Sequence, residues 1–160
     1  MTSHGRPLAL GVGMVLASLV SIQLYAQADP AAGMWMLNVA KSKYSPGPAP
    51  KSQMLTIAAA GQGVHITTES VGADGTKAMT DYTANFDGKE VPIKGAANTD
   101  TVSLKRINAN TVERTDRKGG KVTVTITRVL SADGKTLTIT TKGVNEKGQM
   151  VNNVAVYEKH

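Results

Sequence analysis

Arg128 is the residue with the clearest chemical potential in this chain. It lies in the run Lys121–Leu130, on the alternating face that also carries Val122, Val124, Ile126 and Leu130. A guanidinium on an apolar face cannot stay unpaired, because stripping its water costs more than aliphatic neighbours return. It requires an internal carboxylate, the face of an aromatic ring, interior water or an anionic ligand. Alternatively, position 128 lies near the end of its run, where a long side chain reaches solvent. Aromatic residues make up only 4% of the chain, so few rings can share an interior with it. Tyr82 and Phe86 have the same parity and fill that interior, as plain core or as cavity wall. Trp35 reads as packing at its closed end, with a ligand contact as the alternative, and Tyr157 offers a hydroxyl to orient a polar group. Arg106 follows the parity of Val102 and Leu104, but Ile107 beside it breaks the pattern, which places Arg106 at a strand end in solvent.

Catalytic chemistry finds few participants. After residue 28 the histidines are His65, mid-strand beside Ile66 with threonines nearby and expected to face outward, and the terminal His160. Neither has the convergent partners that a metal site or a nucleophile–base pair needs. Asp74, Asp87 and Asp133 each precede or adjoin a turn glycine and belong to turns, so no carboxylate pair is set up for acid–base work. Glycine-rich stretches sit between strand patterns and not ahead of helices, which excludes a phosphate loop. There is no cysteine, so disulfides, thiolate metal sites and a lipid-modified cysteine are excluded. The reading is a non-enzyme without metal or cofactor.

The elements that position these side chains follow a period of two from Gly33 onward. Trp35, Leu37 and Val39 alternate with Met36 and Asn38. Leu55, Ile57 and Ala59 follow, then Val64, Ile66 and Thr68, then Tyr82, Ala84 and Phe86. Asp74-Gly75, Asp87-Gly88 and Asp133-Gly134 are hairpin signals, since glycine accepts the positive φ of tight turns. Ten strands are expected, near 33–40, 52–60, 63–70, 76–86, 90–94, 101–107, 111–117, 121–130, 135–142 and 149–158. A meander with one apolar face must hide that face and both edges, and closure into a barrel does both. A two-sheet sandwich is the alternative. The segment Lys41–Lys51, with Pro46, Pro48 and Pro50, is an extended surface loop. It acts either as a connector across the barrel end or as a lid or docking segment with Tyr44 exposed.

Ahead of the strands, residues 1–28 read as a secretory signal, a helix to be removed. Arg6 supplies the positive end, Leu8–Ala26 is largely apolar, and Ala26-Gln27-Ala28 is a small-x-small cleavage pattern followed by Asp29-Pro30. An uncleaved anchor helix is the competing reading, which the cleavage pattern and Pro30 disfavour. The expectation is a periplasmic or secreted domain, residues 29–160, with no stable membrane anchor after cleavage. The formal charge of +6 falls to +5 without Arg6. Because the lysines are scattered over turns with no interleaved aromatics, nucleic-acid binding is not expected.

Gly33-Met34-Trp35, opening the first strand of a meander of this length, resembles the start of the calycins, the lipocalins and fatty-acid-binding proteins. Thr127-Arg128-Val129-Leu130, Asp133-Gly134-Lys135, Leu137-Thr138-Ile139-Thr140 and Val156-Tyr157-Glu158-Lys159 are similar to the last three strands of a fatty-acid-binding protein. The chain also resembles small exported barrels of bacteria, which brings no function with it. The resemblance implies a single antiparallel up-and-down β-barrel of about 8–10 strands, monomeric, binding a small apolar or amphipathic ligand in its lumen. It makes Arg128 the counterpart of an interior arginine of that family. In lipocalins such an arginine packs over the first-strand tryptophan, which would pair Arg128 with Trp35 by a cation–π contact. Two departures stand out: the Pro-rich loop replaces the family's helix pair, and Ala155 replaces the arginine that precedes the final-strand tyrosine by two residues. The ligand-binding set is thus Arg128, Tyr157, Trp35, Tyr82 and Phe86. The alternative function is a protein-interaction barrel, of envelope-stress or inhibitor type, that uses the Pro-rich loop and rim and takes no small ligand. Mass spectrometry of the exported protein should find Asp29 as its first residue; a product that retains Met1 would refute the signal assignment.

Overall fold

The alternation found in the sequence becomes ten antiparallel strands in a computed structural model that describes Met1 and residues 28–160. The expected signal segment lies outside the described residues. The strands are β1 (Gly33–Leu37), β2 (Ser52–Ala60), β3 (Gly63–Val71), β4 (Lys77–Asn85), β5 (Val91–Pro92), β6 (Thr101–Asn108), β7 (Thr111–Lys118), β8 (Lys121–Leu130), β9 (Thr136–Val144) and β10 (Met150–Lys159). They form one sheet in the order β4-β3-β2-β1-β10-β9-β8-β7-β6-β5, so every ladder joins sequence neighbours except the closure of β1 on β10. Trp35 lies opposite Lys159 across that closure and opposite Leu55 on β2. The result is a nearly closed up-and-down barrel.

Two strands are shorter than their patterns. β1 stops at Leu37 because the Asn38 side chain accepts a hydrogen bond from the Lys41 amide and starts a single 3₁₀ turn, Val39–Lys41. The pattern at 90–94 gives only Val91–Pro92, since Pro92 has no amide to donate to a ladder. Here the wall is completed across a seam. Asp81 and Lys94 exchange two backbone hydrogen bonds of 3.2 and 2.9 Å, and the Gly88 amide donates to the Leu104 carbonyl at 2.9 Å.

Two irregularities change which way side chains point. Between β7 and β8, Asp116 pairs with Val124 but Arg117 with Val122, leaving Thr123 as an extra residue. The bulge reverses parity, so Val122 is 57% exposed and does not join Val124, Ile126 and Arg128 inside. Between β6 and β7 the register slips at Ile107. Ile107 is turned out, and Arg106 keeps the inward parity of Leu104. The expectation that Arg106 lies in solvent is therefore corrected. Ala59, expected inside, is exposed at the end of β2.

The core gathers at one end. Trp35, Val64, Val102 and Leu137 are fully excluded from water, with Ile57 and Leu104 nearly so. Each such aliphatic side chain contributes about 1.5–3 kcal/mol by burial. The Pro-rich segment is an extended surface loop, as expected, but it is tied down. Lys43 bridges to Val154 on β10, the Asn152 amide donates to the Ser45 carbonyl, and the Ser45 amide donates to Asn153 Oδ1. Tyr44 is half-buried against the core and not exposed, a correction that follows from this pinning.

Gly95 tests the seam. It has φ +75°, and a Cβ there would stand 1.9 Å from the Met79 carbonyl oxygen, so the chain can approach β4 only without a side chain. Gly95→Ala should lower the free energy of unfolding by about 2 kcal/mol. The Lys94 and Asp81 amides should also exchange hydrogen faster, whereas unchanged exchange would mean that Gly95 does not hold the seam.

Candidate functional site

The floor of the barrel is built by a short polar relay. The Trp35 indole donates to the Ala31 carbonyl at 2.8 Å, and the Ala31 amide donates to Asp29 Oδ1 at 2.9 Å. Asp29 Oδ2 then receives Arg128 Nη2 in a buried ion pair. The side chains of Asp29 and Arg128 are 2% and 9% exposed, so each charge is tolerable only because of the other. The carboxylate also lies 3.9 Å from Arg106 Nη2, and the Arg106 guanidinium stacks 4.0 Å from the centroid of Phe86. The internal carboxylate that Arg128 requires is thus Asp29. Trp35 instead faces the Lys159 ammonium, 5.5 Å from its ring, so the expected Arg128–Trp35 contact is not formed.

Above this floor lies a cavity of about 310 Å³. Leu55, Ile66, Leu104, Val112, Ile126 and Ile139 give it an apolar wall. Toward the mouth the lining turns to hydroxyls and amides, among them Thr68, Thr80, Gln53 and Asn153. The space exists because β3, β4 and β10 carry Thr68, Thr80 and Ala155 at inward positions where larger residues would fill it.

Of the five residues singled out from the sequence, Arg128, Tyr82 and Tyr157 line this cavity together. Trp35 and Phe86 are not among its lining; they pack in the floor beneath. The Tyr157 hydroxyl donates to Gln53 Oε1 at 2.5 Å, and burial raises its pKa, with Tyr44 nearby adding to the effect. Burial likewise raises the Tyr82 and Tyr44 phenols. All three are neutral hydroxyls at physiological pH.

Arg114 and Asp116 also shape the lumen, and the sequence reading did not single them out. Arg114 grips Asp116 with two hydrogen bonds, 2.5 and 2.6 Å, and lies 4.8 Å over the Tyr82 ring. The Thr99 hydroxyl adds a third contact to Asp116 at 3.2 Å. The signal was present, since Arg114 and Asp116 share the inward parity of Val112. Asp29 carried no such signal, because it lies outside any strand pattern. Arg114 is therefore neutralised on its fork face. Arg128 is neutralised at one nitrogen only, and its Nη1, buried, has no hydrogen-bond partner among the described residues.

On the outer surface, His65 Nε2 meets Asp81 Oδ2 at 2.5 Å, with Thr67 on the same carboxylate. His65 thus faces outward, as expected, and the hydrogen bond from it lowers the Asp81 pKa. Asp74, Asp87 and Asp133 accept backbone amides within their turns, also as expected.

Fold and lumen together define a calycin-like barrel. A solved structure it resembles is the zebrafish ileal bile acid-binding protein complexed with cholic acid. The two share 15% sequence identity and superpose with a TM-score of 0.51 over 82% of this chain and 99% of that one. At that identity the likeness establishes the fold alone. No protein-family model matches the chain, and no curated protein matches it at a significant level.

The floor ion pair can be tested by a double-mutant cycle. Asp29→Leu and Arg128→Leu should each lower the unfolding free energy by about 3–5 kcal/mol, because each strands the other charge in the core. The double variant should lose no more than either single one. Additive losses in urea unfolding would show that the two groups do not act as a pair.

Proposed function

We propose that this chain is an exported barrel, residues 29–160 after cleavage behind Ala28, which binds a small amphipathic molecule in its lumen. Two features support the reading. The cavity has an apolar wall, and the buried Arg128 at its lining keeps one guanidinium nitrogen unpartnered among the described residues. The second feature carries the proposal, since an orphaned cationic donor in an apolar site costs free energy until an acceptor reaches it. The ligand's apolar body would lie against Ile66, Leu104 and Ile126, and an oxygen acceptor would meet Arg128 Nη1. Hydroxyl groups on the ligand would find partners in Thr68, Thr80 and the amides near the mouth.

At about 310 Å³ the space lies at the lower end of the range for small-molecule sites, roughly 300–1,000 Å³. A single compact amphiphile fits this better than a long chain. Cholic acid, with which the solved neighbour is complexed, is an amphipathic acid of this general kind. The pinned Pro-rich loop, with Tyr44 turned into the cavity lining, favours this reading over one in which that loop docks another protein. The role is binding and not catalysis.

Native mass spectrometry of protein purified from its own cell envelope should show a retained small molecule at one per chain. Ala155→Trp, which fills the lumen without touching the ion pair, should abolish its retention. The Asp29→Leu/Arg128→Leu double variant should weaken an acidic ligand by about tenfold or more, the worth of a charge-assisted hydrogen bond. Retention unaffected by Ala155→Trp would remove the lumen from the site.

A further inference from the structure

If the alternation of β8 ran unbroken, Val122 would be buried with Val124 and Ile126. The extra Thr123 turns it out instead, at the cost of its burial. There it meets two more exposed apolar side chains. Val144, 37% exposed, lies directly opposite Met150, 74% exposed, across the β9–β10 ladder. Their Cβ atoms are therefore about 5 Å apart. Val122 and Val144 both lie just past Val124–Gly143, the last laddered pair between β8 and β9. Adjacent strands are about 4.8 Å apart, so the three side chains gather at two neighbouring hairpin tips. Single exposed aliphatics are ordinary on a protein surface, but a cluster at a rim marks a contact.

These tips are at the mouth. β8 and β10 start there and end beside the floor, at Leu130 and Lys159, and Thr141 and Asn153 line the lumen just below. Lys118, Lys121, Lys142 and Lys147 surround the cluster. Lys142 shares the outward face with Val144, opposite Thr125 and Asn152. The carboxylates at these tips are Asp100, which Lys118 engages at 2.7 Å, and Glu146. Lys121, Lys142 and Lys147 have no ion-pair partner among the described residues. Both tips are also held in shape. The Gly119 amide donates to Asp100 Oδ2, and Asn145 Oδ1 accepts the Lys147 and Gln149 amides, all at 2.9 Å. A fixed apolar knob ringed by uncompensated cations complements a surface with an anionic face and an apolar interior.

We propose that the β7–β8 and β9–β10 tips seat the barrel, mouth inward, on a bilayer of anionic phospholipid. Val122, Val144 and Met150 enter the boundary between headgroups and acyl chains, while Lys121, Lys142 and Lys147 lie at the phosphates. Three side chains cover far less than the roughly 800 Å² per partner of a stable protein interface. On a membrane the same small insertion is reinforced by each lysine, which favours lipid over protein as the occupant. So shallow a contact is reversible and confined to the surface. The site lies outside the lumen and acts whether or not the lumen is filled.

The test uses the chain from Asp29 onward, which carries the whole barrel, and vesicles of phosphatidylglycerol with phosphatidylcholine. The protein should sediment with them at about 0.1 M salt and detach at about 1 M, where charges are screened within about 3 Å. Lys121→Gln/Lys142→Gln/Lys147→Gln should weaken the association about 100-fold, roughly fivefold per lysine. Val122→Ser/Val144→Ser/Met150→Ser, with its fold checked by circular dichroism, should weaken it about tenfold. The matched change at the floor end, Lys89→Gln/Lys105→Gln/Lys135→Gln, should leave it nearly unchanged, which separates the tips from overall basicity. Three results overturn the proposal: an equal loss in the floor-end variant, association that ignores salt, or no association with anionic vesicles, the last leaving a protein as the occupant of the rim.

Discussion

Arg128 and Asp29 meet inside the closed end of the barrel, 99 residues apart in sequence. Neither charge is tolerable there alone. Their pairing fixes the segment before β1 against β8, across the barrel interior from where that segment leaves Trp35. It seats Asp29–Ala32 as a floor, with the Trp35 indole held by the Ala31 carbonyl, and it sets the depth of the lumen. The pairing is also incomplete. One carboxylate faces two guanidinium groups, those of Arg128 and Arg106, and each retains a buried nitrogen without a hydrogen-bond partner among the described residues. Counting the Arg114–Asp116 pair as well, three arginines face two aspartates inside the wall. The interior is therefore biased toward an added negative group.

This arrangement divides the barrel by depth. Near the floor, large side chains fill the section and exclude water from Trp35, Val64 and Leu137. Toward the mouth the inward positions carry threonines, a serine, amides and Ala155, and the section stays open. Ala155 is decisive, because it lies beside Tyr157 on the inward face of β10 where a longer residue would occupy the lumen. The Tyr157–Gln53 hydrogen bond spans β10 and β2 on either side of the short β1 and stiffens the wall where β1 alone would join them.

The barrel was legible in the sequence because one physical rule, alternation, governs almost every strand, and turn glycines mark nearly every reversal. The inward placement of Arg128 and Tyr82 followed from the same rule, whereas Tyr157 was singled out only through the resemblance to the fatty-acid-binding proteins. Parity fails where a single residue is inserted. The extra Thr123 turns Val122 out with nothing in the local composition to announce it, whereas Ile107 does break the alternation, but the slip there keeps Arg106 in instead of ending the strand. The partner of Arg128 was hidden for a different reason. Asp29 lies outside the strand pattern, and a contact across the whole chain has no local sequence signature. Trp35 and Phe86 were correctly placed in the interior, but alternation gives a side and not a depth, so it could not separate floor from lumen.

The closure of β1 on β10 gives the fold a circular character. The His160 amide donates to the Met34 carbonyl at 2.9 Å, and Lys159 lies beside Gly33, so the start of β1 touches the end of β10. Every other laddered link is a local hairpin, apart from the loop between β1 and β2, and β4 meets β5 only across the seam. In such a ring the point at which the polypeptide is opened is nearly arbitrary. A permuted chain that joins residue 160 to residue 29 and opens at the Gly119-Gly120 tip retains every ladder, provided the splice leaves Asp29 free to reach its seat beneath the floor.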